Sequence, residues 1–303
     1  MKNNPNDGIW MNHKKELFLY GILLSFTLAS RLWDLDARAF HHDESLHALY
    51  SWYINHGLGY QHMPMMHGPF QFLANSLFFF LLGDSDFSAR LMYVLFGTVL
   101  IGMPWFLRRE LGQIGALVAA AMLTFSPTIF YFSRFARNDI LMAVWIFGIV
   151  VCIWRFMGNS RPRYLFYLSA FIALSFATKE TSYISLFIFI TYFGGWMILR
   201  WLFSFHRSDP LNQSVVQSQN EHFISISLWG RMLNTIRSPQ GAVILTLSCL
   251  SLTQSPALVG LFQEELGLVL LNRNGVLGPI GLPYGNGVVP AVGITLLFVS
   301  VGI

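Results

Sequence analysis

Leu17–Trp33 reads LFLYGILLSFTLASRLW, an apolar run whose single charge, Arg31, stands near its end. It follows His13, Lys14 and Lys15. A helix that crosses a bilayer needs about 20 mostly apolar residues. Such a run can be a signal peptide or an uncleaved anchor, and the further apolar runs downstream favour the anchor. Composition agrees: of 303 residues, 54% are hydrophobic and 11% charged, where a soluble domain carries about 25% charged residues. The net charge of +4 and pI near 9.1 would suit nucleic acid. The basic residues, however, cluster between apolar runs, as the positive-inside rule expects of a membrane protein, so no nucleic-acid partner is expected. Cys152 and Cys249 both lie in apolar stretches and form no metal or redox motif.

Working outward, we place spans near 17–33, 88–107, 111–130, 139–157, 164–178, 182–201 and 241–260. The chain is therefore read as all-α, a polytopic transmembrane helical protein of about seven to eight spans. Basic residues collect in alternate connections: Lys2, Lys14 and Lys15; Arg108 and Arg109; Arg155, Arg161 and Arg163; and Arg200 through Arg237. These are assigned to the cytoplasm, the N-terminus included. Phe70–Leu82 has only 13 residues, and counting it as a span would put Arg108 and Arg109 outside. It is read as re-entrant or juxtamembrane. The external segments are then Asp34 to about Ser88, Tyr131–Asn138 and the turn at Lys179–Glu180. The whole is one transmembrane domain, with an N-terminal module at about 13–205, a cytoplasmic loop at 206–240 and further span or spans at 241–303.

The first external loop carries HHDESLH at 41–47, followed by Leu46, Leu49, Tyr50 and Tyr53 at helical spacing. That pattern predicts an amphipathic surface helix with Asp43 and Glu44 at its positive N-terminal end, which keeps a carboxylate ionised. Two readings stand for the acidic pair, helix capping or chemistry. A metal is a third, since Asp43 and His47 lie four residues apart on one helix face. It would need another ligand from His62 or His67, and no metal is favoured. Asp34 and Asp36 form a DxD string of a common kind. His67-Gly68-Pro69 marks a turn at the head of the short apolar run. In the second external loop, Arg134, Arg137 and Asp139 are costly charges at the mouth of spans. The arginines suit a lipid phosphate, or else snorkel to headgroups. Lys179 and Glu180 read as an internal ion pair or a headgroup contact.

Taken together, these stretches resemble the membrane glycosyltransferases of the GT-C type. Within them they resemble the branch of dolichyl-phosphate-mannose–protein mannosyltransferases and lipid A aminoarabinose transferases. The likeness rests on His42-Asp43-Glu44; on His67-Gly68-Pro69, where the branch usually has His-Pro-Pro; and on Ser88-Ala89-Arg90-Leu91. Leu107-Arg108-Arg109-Glu110-Leu111-Gly112 and Ser133-Arg134 with Asp139 extend it. Ala177-Thr178-Lys179-Glu180-Thr181 looks like the prokaryotic subfamily of flippase activity-associated proteins. The likeness covers roughly residues 13 to 205. It implies transfer, with inversion, of a sugar from a polyprenyl-phosphate donor to a protein or glycolipid acceptor on the outer face of the cell membrane. Asp43 would be the acceptor-activating base in a catalytic pair with Glu44. Arg134 would hold the donor phosphate, with Arg137 a second candidate and without a firm counterpart in the branch. Asp139 would shape the site, and His42, His67, Lys179 and Glu180 would support it. Neither step needs a metal or other cofactor.

Beyond residue 240 the resemblance fades. Gly260–Pro290 is rich in Gly, Leu, Val and Pro, and the chain stops within the apolar run Ile294–Ile303. A truncated product and a divergent end both fit. Two rival functions remain at this stage. A non-enzymatic transporter or flippase accessory for lipid-linked sugars needs the external arginines but not Asp43, and an inactive inserted fragment needs neither.

Overall fold

The computed structural model describes residues 12–60, 67–206 and 238–252, with backbone alone at 200–206 and 252. His62, most of the loop expected at 206–240 and the chain after Leu252 lie outside these residues. Every regular element among them is helical: α1 (His13–Leu32), α2 (His42–Asn55), α3 (Phe70–Leu82), α4 (Asp86–Gly102), α5 (Arg108–Phe125), α6 (Pro127–Phe132), α7 (Asp139–Asn159), α8 (Pro162–Phe176), α9 (Ser182–His206) and α10 (Pro239–Leu252). They fall into two compact units, Met1–Ser182 and Tyr183–Ile303. In the second unit, residues of α9 and α10 such as Leu186, Ile190 and Ser251 line a small cavity.

Helix α1 is inside out by the standards of a soluble protein. Its buried residues are Glu16, Tyr20, Thr27 and Arg31, while Phe18, Ile22 and Phe26 stand exposed. The same holds elsewhere for Phe80, Met122, Phe166 and Phe187. Such a surface is at home in lipid, where buried polar groups bond within the protein. Among the described residues, three helical segments are long and apolar enough to cross a membrane: 86–125, Asp139–Asn159 and Ser182–Leu199. This is a helical membrane protein.

Cross-bonds fix the helix directions in the first unit. Glu16 accepts from Gln113 and Arg31 donates to the Thr124 carbonyl, so α1 and α5 run parallel. Tyr20 packs near Ile101 while Arg90 reaches the Leu35 and Arg38 carbonyls, so α4 runs the other way. Segment 86–125 is thus a hairpin. Its bend is a 3-10 turn over Met103–Leu107, opened by Pro104, and a break at Gly112, whose φ of 75° suits glycine. The apolar run expected at 111–130 stops at Phe125, because Pro127 forces Ser126 into extended backbone. Helices α7 and α8 pack as an antiparallel pair, with Phe171 against Gly148, where a side-chain carbon would overlap its ring.

These directions give the unit two ends. Residues 33–44, 83–90, 126–139 and 177–182 meet at one end; residues 102–113 and 155–164 lie at the other. Both ends of α3 belong to the first. Gly68 and Phe70 donate backbone N–H groups to the Thr178 and Ala177 carbonyls, and the Gly83 carbonyl accepts from Ser88. Gly68 lies so close to Ala177 that any Cβ there would overlap its carbonyl.

Helix α2 forms where the helical spacing of Leu46, Leu49, Tyr50 and Tyr53 places it. Glu44, His47, Ala48 and Ser51 are buried, Leu49 is exposed, and Leu46, Tyr50 and Tyr53 are half-buried. Arg90 draws Glu44 inward.

Candidate active site

Helix α2 starts in a capping box: His41 Nδ1 accepts from the Asp43 N–H at 3.3 Å, and the Glu44 carboxylate accepts from the His41 N–H at 3.0 Å. The cap is therefore His41 with Glu44, and Asp43 is free of that role. Glu44 is fully buried. It accepts from Arg90 Nε at 2.9 Å and Nη2 at 3.1 Å, from Arg38 at 2.7 Å, and from the Ala136 N–H at 3.1 Å. Burial alone would raise its carboxyl. The Arg90 hydrogen bond, the two backbone N–H groups and the Arg90 charge outweigh that and hold it below the ordinary carboxylate range. Glu44 thereby ties α2, α4 and the loop between α6 and α7 together.

Asp43 faces away from that knot. Its Oδ2 lies 3.4 Å from Arg137 Nη1, and Arg137 Nε lies 3.4 Å from Asp139 Oδ2. Lys179 Nζ donates to Asp139 Oδ1 at 3.2 Å. The result is a chain of alternating charge, Asp43–Arg137–Asp139–Lys179, drawn from α2, the second loop, α7 and the turn after α8. Asp43, Arg137 and Asp139 are each about one-third exposed, at 35%, 39% and 33% of their side chains, so a ligand can reach them. Beside the chain, His67 Nδ1 meets Glu180 at 2.7 Å. His67 holds a φ of 66°, a left-handed conformation that a non-glycine residue adopts at a cost of about 1–3 kcal/mol. Beneath lies His47, buried, with Nδ1 unpartnered. Burial, and then the His67 charge, push its imidazole down to about 4, so it is neutral at pH 7.

The structure thus brings Asp43, Arg137, Asp139 and Lys179 together and sets His67 and Glu180 alongside. Lys179 and Glu180 do not pair with each other; each has taken a partner from another element. Arg134 stands apart, donating to the Trp33 and Asp34 carbonyls at 2.7 and 2.8 Å over the Phe130 ring. His42 is exposed at the start of α2. Among the described residues, no three His, Cys, Asp or Glu side chains converge as a metal site requires. Sequence reasoning missed Arg38 and Arg90 as the partners of Glu44. The signal for Arg90 was its charge near the start of an apolar helix.

Compared with known proteins, residues 66–206 match the family model for dolichyl-phosphate-mannose-protein mannosyltransferase. The match opens just before α3, closes with α9, and takes in His67, Arg134, Arg137, Asp139, Lys179 and Glu180. Asp43 and Glu44 precede it. No curated protein and no solved structure matches the chain. The class these findings define is a helical membrane protein similar, over that segment, to a family of membrane glycosyltransferases.

Proposed function

We propose that this protein is a membrane glycosyltransferase that moves a sugar from a polyprenyl-phosphate donor to a hydroxyl acceptor, with the site end external and the N-terminus cytoplasmic. The observation that carries this reading is the open Asp43–Arg137–Asp139–Lys179 chain, two carboxylates and two cations within one salt-bridged row. An acceptor hydroxyl is a weak nucleophile. As its oxygen bonds to the anomeric carbon from the face opposite the phosphate, Asp43 takes the proton, a step worth about 10²–10⁴ in rate. The bond from the anomeric carbon to the phosphate oxygen breaks, inverting the centre, and polyprenyl phosphate leaves with an added negative charge. Arg137 and Lys179 stabilise that charge, exchanging their hold on Asp139 for the phosphate oxygens. Arg134, engaged by two carbonyls, positions the loop, and Glu44 positions α2. The likeness of Ala177–Thr181 to flippase activity-associated proteins fits a prokaryotic enzyme of this kind.

The test is sugar transfer by the purified chain from a panel of polyprenyl-phosphate sugars. At least one donor is expected to support it. Arg137→Gln should weaken donor binding about tenfold to hundredfold, the range of a lost charged contact, and more than Arg134→Gln does. No transfer from any donor, with none of them bound, sinks the reading.

A further inference from the structure

At the end of the first unit remote from Asp43, a cavity of about 560 Å³ opens between the 103–107 turn, α7 and α8. This is within the usual size of ligand pockets, about 300–1,000 Å³. Its floor is apolar, formed by Gly148, Val151, Cys152 and Phe171. Its rim holds five arginines from three elements: Arg108, Arg109, Arg155, Arg161 and Arg163. Among the described residues, none of the five forms an ion pair with a carboxylate. The positive-inside rule accounts for basic residues at this end, but it does not gather them round one cavity. Three are held in place there: Arg155 donates to the Phe106 carbonyl, the Arg108 guanidinium lies 3.8 Å from the centre of the Trp105 ring, and Arg163 donates to the Tyr164 hydroxyl at 3.4 Å.

We propose that this cavity binds an anionic phospholipid, its phosphate on the arginine rim and part of an acyl chain on the apolar floor. Guanidinium groups match phosphate oxygens in paired hydrogen bonds. Five positive charges without a carboxylate partner among the described residues select an anionic lipid over a zwitterionic one. Trp105, Tyr164 and Tyr167 at the rim put the arginines at headgroup depth, and basic pockets between membrane helices take anionic headgroups. The apolar floor separates a lipid from a free phosphate, which has nothing to place on it. The inference is independent of the proposed transferase activity.

The experiment uses the purified full chain and native mass spectrometry with dioleoylphosphatidylglycerol, dioleoylphosphatidylcholine and glycerol 3-phosphate. Phosphatidylglycerol is expected to stay bound when phosphatidylcholine is stripped, and excess glycerol 3-phosphate should not displace it. Arg155→Gln with Arg163→Gln should weaken retention about tenfold or more. Lys14→Gln with Lys15→Gln, exposed charges outside the cavity, should leave it unchanged. On the unaltered chain, phosphatidylglycerol with a photoreactive tail should crosslink to the facing ends of α7 and α8. Equal retention of both lipids, retention indifferent to the arginine changes, displacement by glycerol 3-phosphate, or crosslinks scattered over the other helices would each overturn the assignment.

Discussion

At the scale of single residues, two neighbours of the same charge have opposite environments. Glu44 is buried and held by two arginines and two backbone N–H groups; Asp43 is one-third exposed with one loose partner. The sequence showed both carboxylates at a helix start, and spacing alone could not divide them. What divides them is Arg90, 46 positions away in the chain. Likewise, Arg134 and Arg137 look equivalent in sequence, and only the loop's path turns one to carbonyls and the other to Asp43. Acid should undo this arrangement in two stages. His47 charges more readily when unfolded, near 6.5, than when folded, near 4. Its contribution is whole above pH 6.5 and lost as pH falls to 4, roughly 3 kcal/mol at most. Glu44, held below the ordinary carboxylate range, contributes at neutral pH and loses that as pH falls through its folded value. Thermal unfolding followed from pH 7 to 4 should therefore show Tm falling, and His47→Leu should flatten the upper part of the fall. An identical profile for that variant would remove His47 as a cause.

At the scale of elements, the sequence was most legible where hydrophobic runs are long. Helix α7 covers Asp139–Asn159 against an expected 139–157, and α3 covers the short run at Phe70–Leu82. It was least legible where a proline interrupts a run, as at Ser126–Pro127, and in which face α2 buries, since that face is largely polar. Helix α3 is the element on which sidedness depends, since one extra crossing would invert everything after it. With both its ends tied to one end of the unit, cysteines at Ser45→Cys and Asp84→Cys, on either side of it in the chain, should label from the same side of the membrane. Glu110→Cys, at the opposite end, should label from the other. All three positions are exposed. Labelling of Ser45→Cys and Asp84→Cys from opposite sides would show that α3 crosses.

At the largest scale, the first unit has two ends with two chemistries: an open carboxylate and cation row at one, an arginine-rimmed apolar cavity at the other. We propose that Asp43 is a base and not a brace. The geometry allows the two to be told apart. The α2 cap is made by His41 and Glu44, and an ion pair as exposed as Asp43–Arg137 is worth at most about 1 kcal/mol. Asp43→Asn should therefore leave the fold intact while removing basicity. The most direct measurement is turnover of purified Asp43→Asn with a donor the unaltered protein uses, alongside its donor affinity and Tm. We expect turnover to fall by at least about 10², with donor affinity and Tm close to those of the unaltered protein. Near-normal transfer by a folded Asp43→Asn protein would contradict the account and take Asp43 out of the chemistry.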